Sequence, residues 1–402
     1  MIDVLIAGGG LAGSALAIQL GRLGFGVELF ERSSFPREKP CGEGMMPGGL
    51  AALLRMGIGG TLGGAPFGGV RFHFRQQLAR GRFPTAHAVP ITGRGIRRRH
   101  LDQTLFLEAA STPGVTAHMG TRVERPLIEH GRVVGLAVEG CERRATLVVG
   151  ADGPHSRMRH ALSLDVPSKE RWIGMRAHFR LANGQRQARW VDVYHRRGYE
   201  LYVTPLPDQE LLVAILARTA AIHGRIQDQF RVWCAAEPEL AERLEGAEQV
   251  SELMTISPLS GGARQTFLPG FVLLGDAAGF TDPLTGGGMT HALLAAELLA
   301  KHVAHQFGRR EAWLGLFDRE RRSLLRDFRL LTRMMVMLTS HPLWMGAVVR
   351  GLGFSPPLFS HLVGISAGVC RLWGGEHGPQ GRSALGGYPS LSSFCENRAD
   401  SI

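Results

Sequence analysis

The chain has 402 residues, 44% of them apolar, and a formal charge of +11 that arginine supplies almost alone. That length exceeds one small core and points to two domains with a C-terminal extension. No apolar run reaches the roughly 18 residues of a membrane span, and five widely spaced cysteines argue against a disulfide scaffold or metal cluster. The arginines are scattered, without recognition helix, zinc-finger spacing or aromatic-basic platform, so nucleic-acid binding is not expected. The first strand begins at the N-terminus, which leaves no secretory signal, and a cytoplasmic location is expected.

Ile2 to Ile6 form a short apolar run that suits a buried parallel strand. Gly8, Gly10 and Gly13 follow with G-x-G-x-x-G spacing. The first glycine permits a tight turn, the second lets a pyrophosphate approach the backbone, and the third lets the next helix pack on the strand. Gly26 to Phe30 reads as a second strand ending at Glu31 and Arg32. Glu31 is placed to accept hydrogen bonds from a ribose diol, and it disfavours a 2′-phosphate there because two anions would meet. This arrangement points to an adenine dinucleotide, FAD or NAD.

Residues 33–66 form a charged, glycine-rich loop holding Arg37, Lys39 and Lys39-Pro-Cys41-Gly42-Glu43-Gly44, then a short helix from Gly48 to Met56. Such a loop is a place for the remainder of a large cofactor. Val70 to Phe74 and Ala88 to Ile91 read as strands of a different sheet. Leu101, Leu105, Leu107 and Ala110 mark a helix after Arg97-Arg98-Arg99. Val133 to Glu139 and Ala145 to Val149 read as a hairpin-like pair. A second glycine turn, Ala151-Asp152-Gly153, precedes a helix start at Ser156.

From about 165 to 256 alternating strands, Trp172 to Arg180, Arg189 to Tyr194, Tyr199 to Thr204 and Leu211 to Leu216, predict an antiparallel sheet joined by Asn-Gly, Arg-Gly and Pro-Asp turns. Two polar helical segments follow near 225–236 and 238–248. Phe271 to Leu274 returns to a buried-strand pattern and ends at a third glycine turn, Gly275-Asp276-Ala-Ala-Gly279. An amphipathic helix is predicted from Thr290 to His305, and further helices over 311–370, interrupted at Pro342 and Pro356-Pro357.

Three separated motifs carry a resemblance: Gly8-Gly10-Gly13 with Glu31, Ala151-Asp152-Gly153-Pro-His-Ser156-Arg157-Met-Arg159, and Gly275-Asp276 through Pro283, Gly286, Gly287, Gly288 and Met289. In this order the chain resembles the FAD-dependent monooxygenases and reductases typified by para-hydroxybenzoate hydroxylase, a scaffold shared with geranylgeranyl reductases and flavin halogenases. The resemblance covers residues 1–305 well and the helical tail more loosely. It implies an α/β fold: a Rossmann-like FAD-binding domain (1–67, 92–165 and 257–310) with an inserted antiparallel-sheet substrate domain (68–91 and 166–256). C-terminal helices (311–371) and a loose tail (372–402) complete it.

The resemblance also implies tightly bound FAD with NADPH or NADH as a transient reductant. Asp152 is expected near FAD and nicotinamide, Asp276 on the ribityl and pyrophosphate region, and Pro283 with Gly286 to Gly288 along the flavin ring. Arg98 is expected on the cofactor, Val123 at the adenine, and Met45 or Met46 at the isoalloxazine. The helix near Thr290 directs its positive end toward negative charge on reduced flavin.

The activity implied is a monooxygenase that hydroxylates an aromatic or polyketide-like molecule through a flavin C4a-hydroperoxide, using NAD(P)H and O2. The alternative is a geranylgeranyl-reductase-like enzyme that saturates isoprenoid double bonds. The halogenase Trp-x-Trp-x-Ile-Pro element is missing. Candidate bases are His73, His178, His195 and Tyr202, each of which also fits a polar residue on a solvated sheet face. Trp172, Trp190 and Phe179 on the sheet suggest a hydrophobic substrate. Cys41 is more readily a structural thiol than a redox group. The basic charge and segment 334–349 suit a peripheral contact with an anionic membrane surface. No metal is expected, and the chain is expected as a monomer or homodimer.

Overall fold

The computed structural model describes residues 2–60, 62–86, 89–166, 172–182, 188–257, 259, 261–279, 286–308, 312–339 and 342–372. Pro283, the Asn183-Gly184 turn and the tail beyond 372 lie outside the described residues.

A six-stranded sheet runs Val115–Met119, Val27–Glu31, Val4–Ala7, Leu147–Gly150, Phe271–Leu273 and Phe267–Leu268. The first five are parallel and the last is antiparallel to its neighbour. Val4 and Ile6 face one layer, packed by the helices Leu11–Arg22 and Gly288–Gln306. Leu5 and Ala7 face the other, where Val133, Leu136 and Val138 of a three-stranded sheet cover them. Both faces are buried, which is why these strands read as continuous apolar runs. Ala12, Ala15 and Ala17 keep the first helix thin enough to lie close to the strands.

The second sheet is eight-stranded and mostly antiparallel, in the order Glu248–Gln249, Trp172–Arg180, Glu210–Arg218, Tyr199–Pro205, Val191–Arg196, Gly69–Phe74 and Gln77–Arg82, with Met254–Ile256 also on Trp172–Arg180. One pair departs from the antiparallel expectation: Val191–Arg196 runs parallel to Gly69–Phe74. A small sheet of Gly44–Met45, Gly93–Gly95 and Ala65–Phe67 links the two halves.

Two strand pairings differ from the sequence reading. Arg132–Val138 pairs with Cys141–Arg144, whereas Leu147–Gly150 enters the parallel sheet. Residues 141–144 are exposed and all but Cys141 are charged, so their pattern is that of a loop, and only pairing reveals the strand. Likewise Gly69–Phe74 pairs with Gln77–Arg82, and Val89–Pro90 pairs only with Thr85–Ala86. Gln77–Arg82 is an edge strand with a polar outer face, which masks its period.

Helices Ala312–Leu324, Arg326–Thr339, Pro342–Phe354 and Pro356–Ser366 follow, with Pro342 and Pro356 at helix starts, where the missing N–H costs nothing. Val349, Leu352, Phe359 and Val363 pack on Val70, Phe74 and Ala79 of the large sheet.

On the outer face of that sheet lies a buried charge cluster. Asp192 accepts from Arg71 Nε at 2.5 Å, Arg243 Nη1 at 3.0 Å, and meets His73 Nε2 at 2.8 Å. Burial alone would raise the Asp192 carboxyl, but His73, Arg71 and Arg243 hold it below the usual carboxylate range. Its folded pKa therefore lies under the unfolded value of about 3.9, so its stabilisation is present above that pH and is lost as pH falls through the folded value. Asp192→Ala is expected to destabilise the fold by about 3–5 kcal/mol at pH 7, with the gap to the parent protein closing in strong acid, as read from denaturant melts at both pH values.

Candidate active site

The three glycine turns meet at the carboxyl edge of the parallel sheet. Gly8 has φ 112°, and a Cβ there would stand 2.4 Å from the Ala151 carbonyl oxygen. A Cβ on Gly13 would stand 1.9 Å from the Gly8 carbonyl oxygen. Backbone approach this close admits only glycine. Above Gly10, by contrast, the nearest atom to a Cβ is an Arg37 guanidinium nitrogen at 3.4 Å. The helix Leu11–Arg22 has no side-chain cap at Gly10, so its first N–H groups face this space.

A pocket extends from here between the two sheets. Gly10, Ala12, Ala151, Gly275 and Asp276 line the side of the glycine turns. Gly174, Arg176, Tyr202, Ala214 and Leu216 line the large-sheet side. Cys41, Glu43, Met46, Gly286, Gly288 and Met289 complete the wall. The register places Arg176 opposite Ala214 and Ala214 opposite Tyr202, so these three form one row across one face. Lys39 Nζ lies 3.6 Å from Asp276, across the pocket mouth.

The cofactor-side residues expected from sequence divide by position. Glu31 is buried and accepts from Gly9 N at 3.1 Å and Ser33 N at 2.9 Å, at the tip of its strand. Arg32 is exposed. Arg37 spans Glu31 at 3.6 Å and Asp102 at 3.2 Å. Arg98 lines the pocket and grips Asp102 through two bonds of 2.8 and 2.9 Å. Burial would raise the Asp102 carboxyl, but Arg98 and Arg37 hold it below the usual range. Asp276, Gly286, Gly288 and Met289 line the pocket, and Gly287 is the N-cap of Gly288–Gln306. That helix starts two residues before the expected Thr290 and aims its unshielded N-terminus at the pocket.

Three of the expected residues, Asp152, Met45 and Val123, are not themselves part of the pocket lining. Asp152 accepts from Ser156 Oγ at 2.5 Å and from the Arg157 and Met158 N–H groups, and so caps the helix Arg157–Ala161, while its neighbours Ala151, Gly153 and Pro154 line the pocket. Met45 is buried in the core beside Gly49, whereas Met46, one residue on, faces the pocket by strand alternation. Val123 starts a strand of the three-stranded sheet; two residues before it Thr121 N donates to the Glu31 carbonyl at 2.8 Å, so Val123 stands on the side of Glu31, the acid expected at the ribose, and not on the pocket wall.

The candidate bases are not on a solvated face. His73, His178 and His195 are all buried, each against a carboxylate: Asp192, Glu43 and Glu200 respectively. His73 belongs to the outer-face cluster, so alternation excludes it from the pocket. Tyr202 lines the pocket and donates to Glu200, which also meets His195 Nδ1 at 2.9 Å. Of the large aromatics that the sequence placed on the substrate face, one lies there. Phe179 faces away from the pocket and stacks on Phe230, and Trp190 meets Arg82, whereas Trp172 shares the pocket face of its strand and packs with the pocket residues Leu216, Tyr202 and Leu259. Glu43, Arg176, Glu200 and Asp102 were missed. The Arg98–Asp102 spacing of four on a helix was a readable signal for the last.

Residues 1–328 match the family of FAD binding domains, and the chain belongs to that family. FAD, the cofactor expected from the sequence, is thus the one its family binds. The chain is 29% identical over 319 residues to squalene monooxygenase SE2 of Panax ginseng, covering 72% of this chain and 56% of that protein. The chain thus spans about half the length of that relative. It is 26% identical over 366 residues to menaquinone reductase of Mycolicibacterium smegmatis, covering 84% of each. A flavoprotein/dehydrogenase from Cytophaga hutchinsonii shares the fold with a TM-score of 0.80 and 23% identity, over 91% of this chain and 93% of that one.

The cradle suits FAD physically. Glycine turns that leave no room for a Cβ, two uncapped helix N-termini, and the cations Arg37 and Lys39 all face one elongated space. Gly10→Val is expected to keep the fold, because nothing but the Arg37 tip adjoins its Cβ, while weakening FAD binding at least about tenfold. Circular dichroism and flavin-fluorescence titration test the two halves of that statement.

Proposed function

We propose that the chain acts on a carbon–carbon double bond of a long, apolar, isoprenoid-type molecule. The observation that carries this reading is the inner face of the large sheet. Gly174, Ala214 and Leu216, with Ile256 and Leu259, offer an apolar wall on which Tyr202 and Thr204 are the hydroxyl groups. A squalene monooxygenase and a menaquinone reductase among its relatives add support, since both are named for isoprenoid substrates.

Bound FAD supplies the electron and oxygen chemistry. Gly10, Lys39 and Asp276 would hold its phosphate and ribityl region, and Gly286, Gly288 and Met46 would flank its ring. Thr204 Oγ1 donates to the Gly42 carbonyl at 2.8 Å and so ties the ring-side loop to the substrate sheet. The apolar wall excludes water around the substrate. Tyr202, polarised by Glu200 and His195, orients a polar end or holds a proton there.

The Tyr202–Glu200–His195 set also favours a second reading, ring hydroxylation, in which Tyr202 takes the proton of a phenol as it passes its own to Glu200. Anaerobic incubation of the reduced holoenzyme with a prenyl quinone or polyprenyl lipid separates the outcomes. Loss of one double bond without O2 supports saturation, an oxygenated product formed only in air supports oxygen insertion, and turnover of simple phenols alone would defeat the isoprenoid reading. NADH and NADPH are compared as reductants in the same assay.

The C-terminal helices suit delivery of such a substrate. Among the described residues, Trp344 and Phe354 are 64% and 85% exposed, and Met334, Met337 and Leu358 are exposed with them. Beside them Arg80 and Arg82 line a groove with Pro356 and Ser360. Apolar prongs beside cations fit the surface of an anionic bilayer. No described helix is long and apolar enough to cross one. Co-sedimentation with phosphatidylglycerol vesicles is expected, and Phe354→Ser with Arg80→Gln is expected to reduce it several-fold, by about 1 kcal/mol per lost cation.

A further inference from the structure

Glu43 is a fully buried acid on the pocket wall, and the flavin reading alone gives it no task. Its φ of 53° is a left-handed conformation that a non-glycine residue adopts only when its surroundings hold it there. They do: its carbonyl accepts from Ile96 N at 2.9 Å, and its Oε1 accepts from Arg98 N at 2.9 Å. Oε2 lies 2.8 Å from Nε2 of the fully buried His178. On the far side of that ring, Nδ1 lies 2.9 Å from Ser251 Oγ, and Ser251 is half-buried at the protein surface.

The donors fix the direction of this chain. Arg176 Nη1 lies 3.2 Å from His178 Nδ1, and a guanidinium only donates, so Nδ1 is the acceptor. The His178 proton therefore sits on Nε2 and points at Glu43. Ser251 Oγ accepts from His178 N at 2.9 Å, and its own proton has two acceptors, His178 Nδ1 and the Glu252 carbonyl at 3.3 Å. The charged and titratable groups around the path are Arg176 with its partner Glu38 at 2.5 Å, Arg98, and Cys41, whose sulfur accepts from Glu43 N at 3.4 Å.

We propose that Ser251, His178 and Glu43 form a proton path between solvent and the pocket, resting on the flavin reading of that pocket. The Ser251 O–H bond breaks as an N–H bond forms at Nδ1, and the Nε2 proton passes to Glu43 Oε2. Glu43 then releases its proton into the pocket and solvent reprotonates Ser251. Each cycle moves one proton and no electrons, and restores every group once the ring tautomer resets. Either redox outcome needs such a path, because the pocket wall excludes bulk water while the reaction takes up protons.

The test uses the holoenzyme and two variants. Glu43→Gln keeps the side-chain shape and, through its amide oxygen, one of the two hydrogen bonds, but cannot carry the proton; Ser251→Ala cuts the solvent end. FAD binding is measured first by fluorescence titration, and its failure in the parent protein would sink the flavin reading and this proposal together. With FAD retained, reoxidation of photoreduced enzyme by O2 is followed against pH in H2O and D2O. Both variants are expected to slow it at least about tenfold and to flatten the parent pH profile and solvent isotope effect. Independently of flavin, ring-nitrogen NMR of the cofactor-free protein is expected to report His178 as the Nε2–H tautomer. Unchanged pH profiles in both FAD-bound variants, or an Nδ1–H tautomer, would overturn the path and leave the flavin reading standing.

Discussion

Backbone-to-backbone contact at the carboxyl edge of the parallel sheet governs this molecule. The Gly13 position closes on the Gly8 carbonyl and the Gly8 position closes on Ala151, at separations where any side chain would force the strands apart. Those contacts bring the ends of Val4–Ala7, Leu147–Gly150 and Phe271–Leu273 together as one edge. Parallel strands all end at the same edge, so turns separated by more than a hundred residues become neighbours, and ligands gather there. The uncapped N-termini of two helices then face a common space, and their unpaired N–H groups give it a positive character that no single side chain supplies.

Charge around the pocket is compensated nearly everywhere. Arg98 is matched by Asp102, Arg176 by Glu38, and Lys39 by Asp276, while Glu43 accepts from His178 Nε2 and Arg98 N. A buried ion costs several kcal/mol unless it is paired and hydrogen-bonded. The pairing is therefore what allows so many ionisable groups to stand beside an apolar wall. It also joins the halves: Glu38 and Glu43 belong to the loop after the second strand, whereas Arg176 and His178 belong to the large sheet. The large sheet is thus held over the cofactor-side loop by ion pairs and by Thr204 on Gly42, in addition to apolar packing.

The expectation that the strand histidines are solvated failed for one reason. Alternation tells which residues share a face, but both faces of this sheet are covered. One bears the pocket, the C-terminal helices and the loop 41–44; the other bears the helices Ile226–Ala235 and Pro238–Leu244. Polar residues at those positions are buried, and each has acquired a carboxylate partner, distant in sequence for His73 and His178 and directly across the neighbouring strand for His195. The same cover explains why Phe179 faces a core and not the pocket.

From sequence alone came the glycine spacings, the strand-end acids and the order of the three motifs. These are local properties, since a turn that needs glycine or a strand buried on both faces leaves its mark on consecutive residues. They carried the fold class and the cofactor. Only tertiary structure decided that Asp152 caps a helix, that Met46 and not Met45 meets the pocket, and that Glu43, His178 and Ser251 align. Each depends on which way a side chain points after strands far apart in the chain have paired. A one-residue change of register reverses that direction while leaving the local pattern as it was.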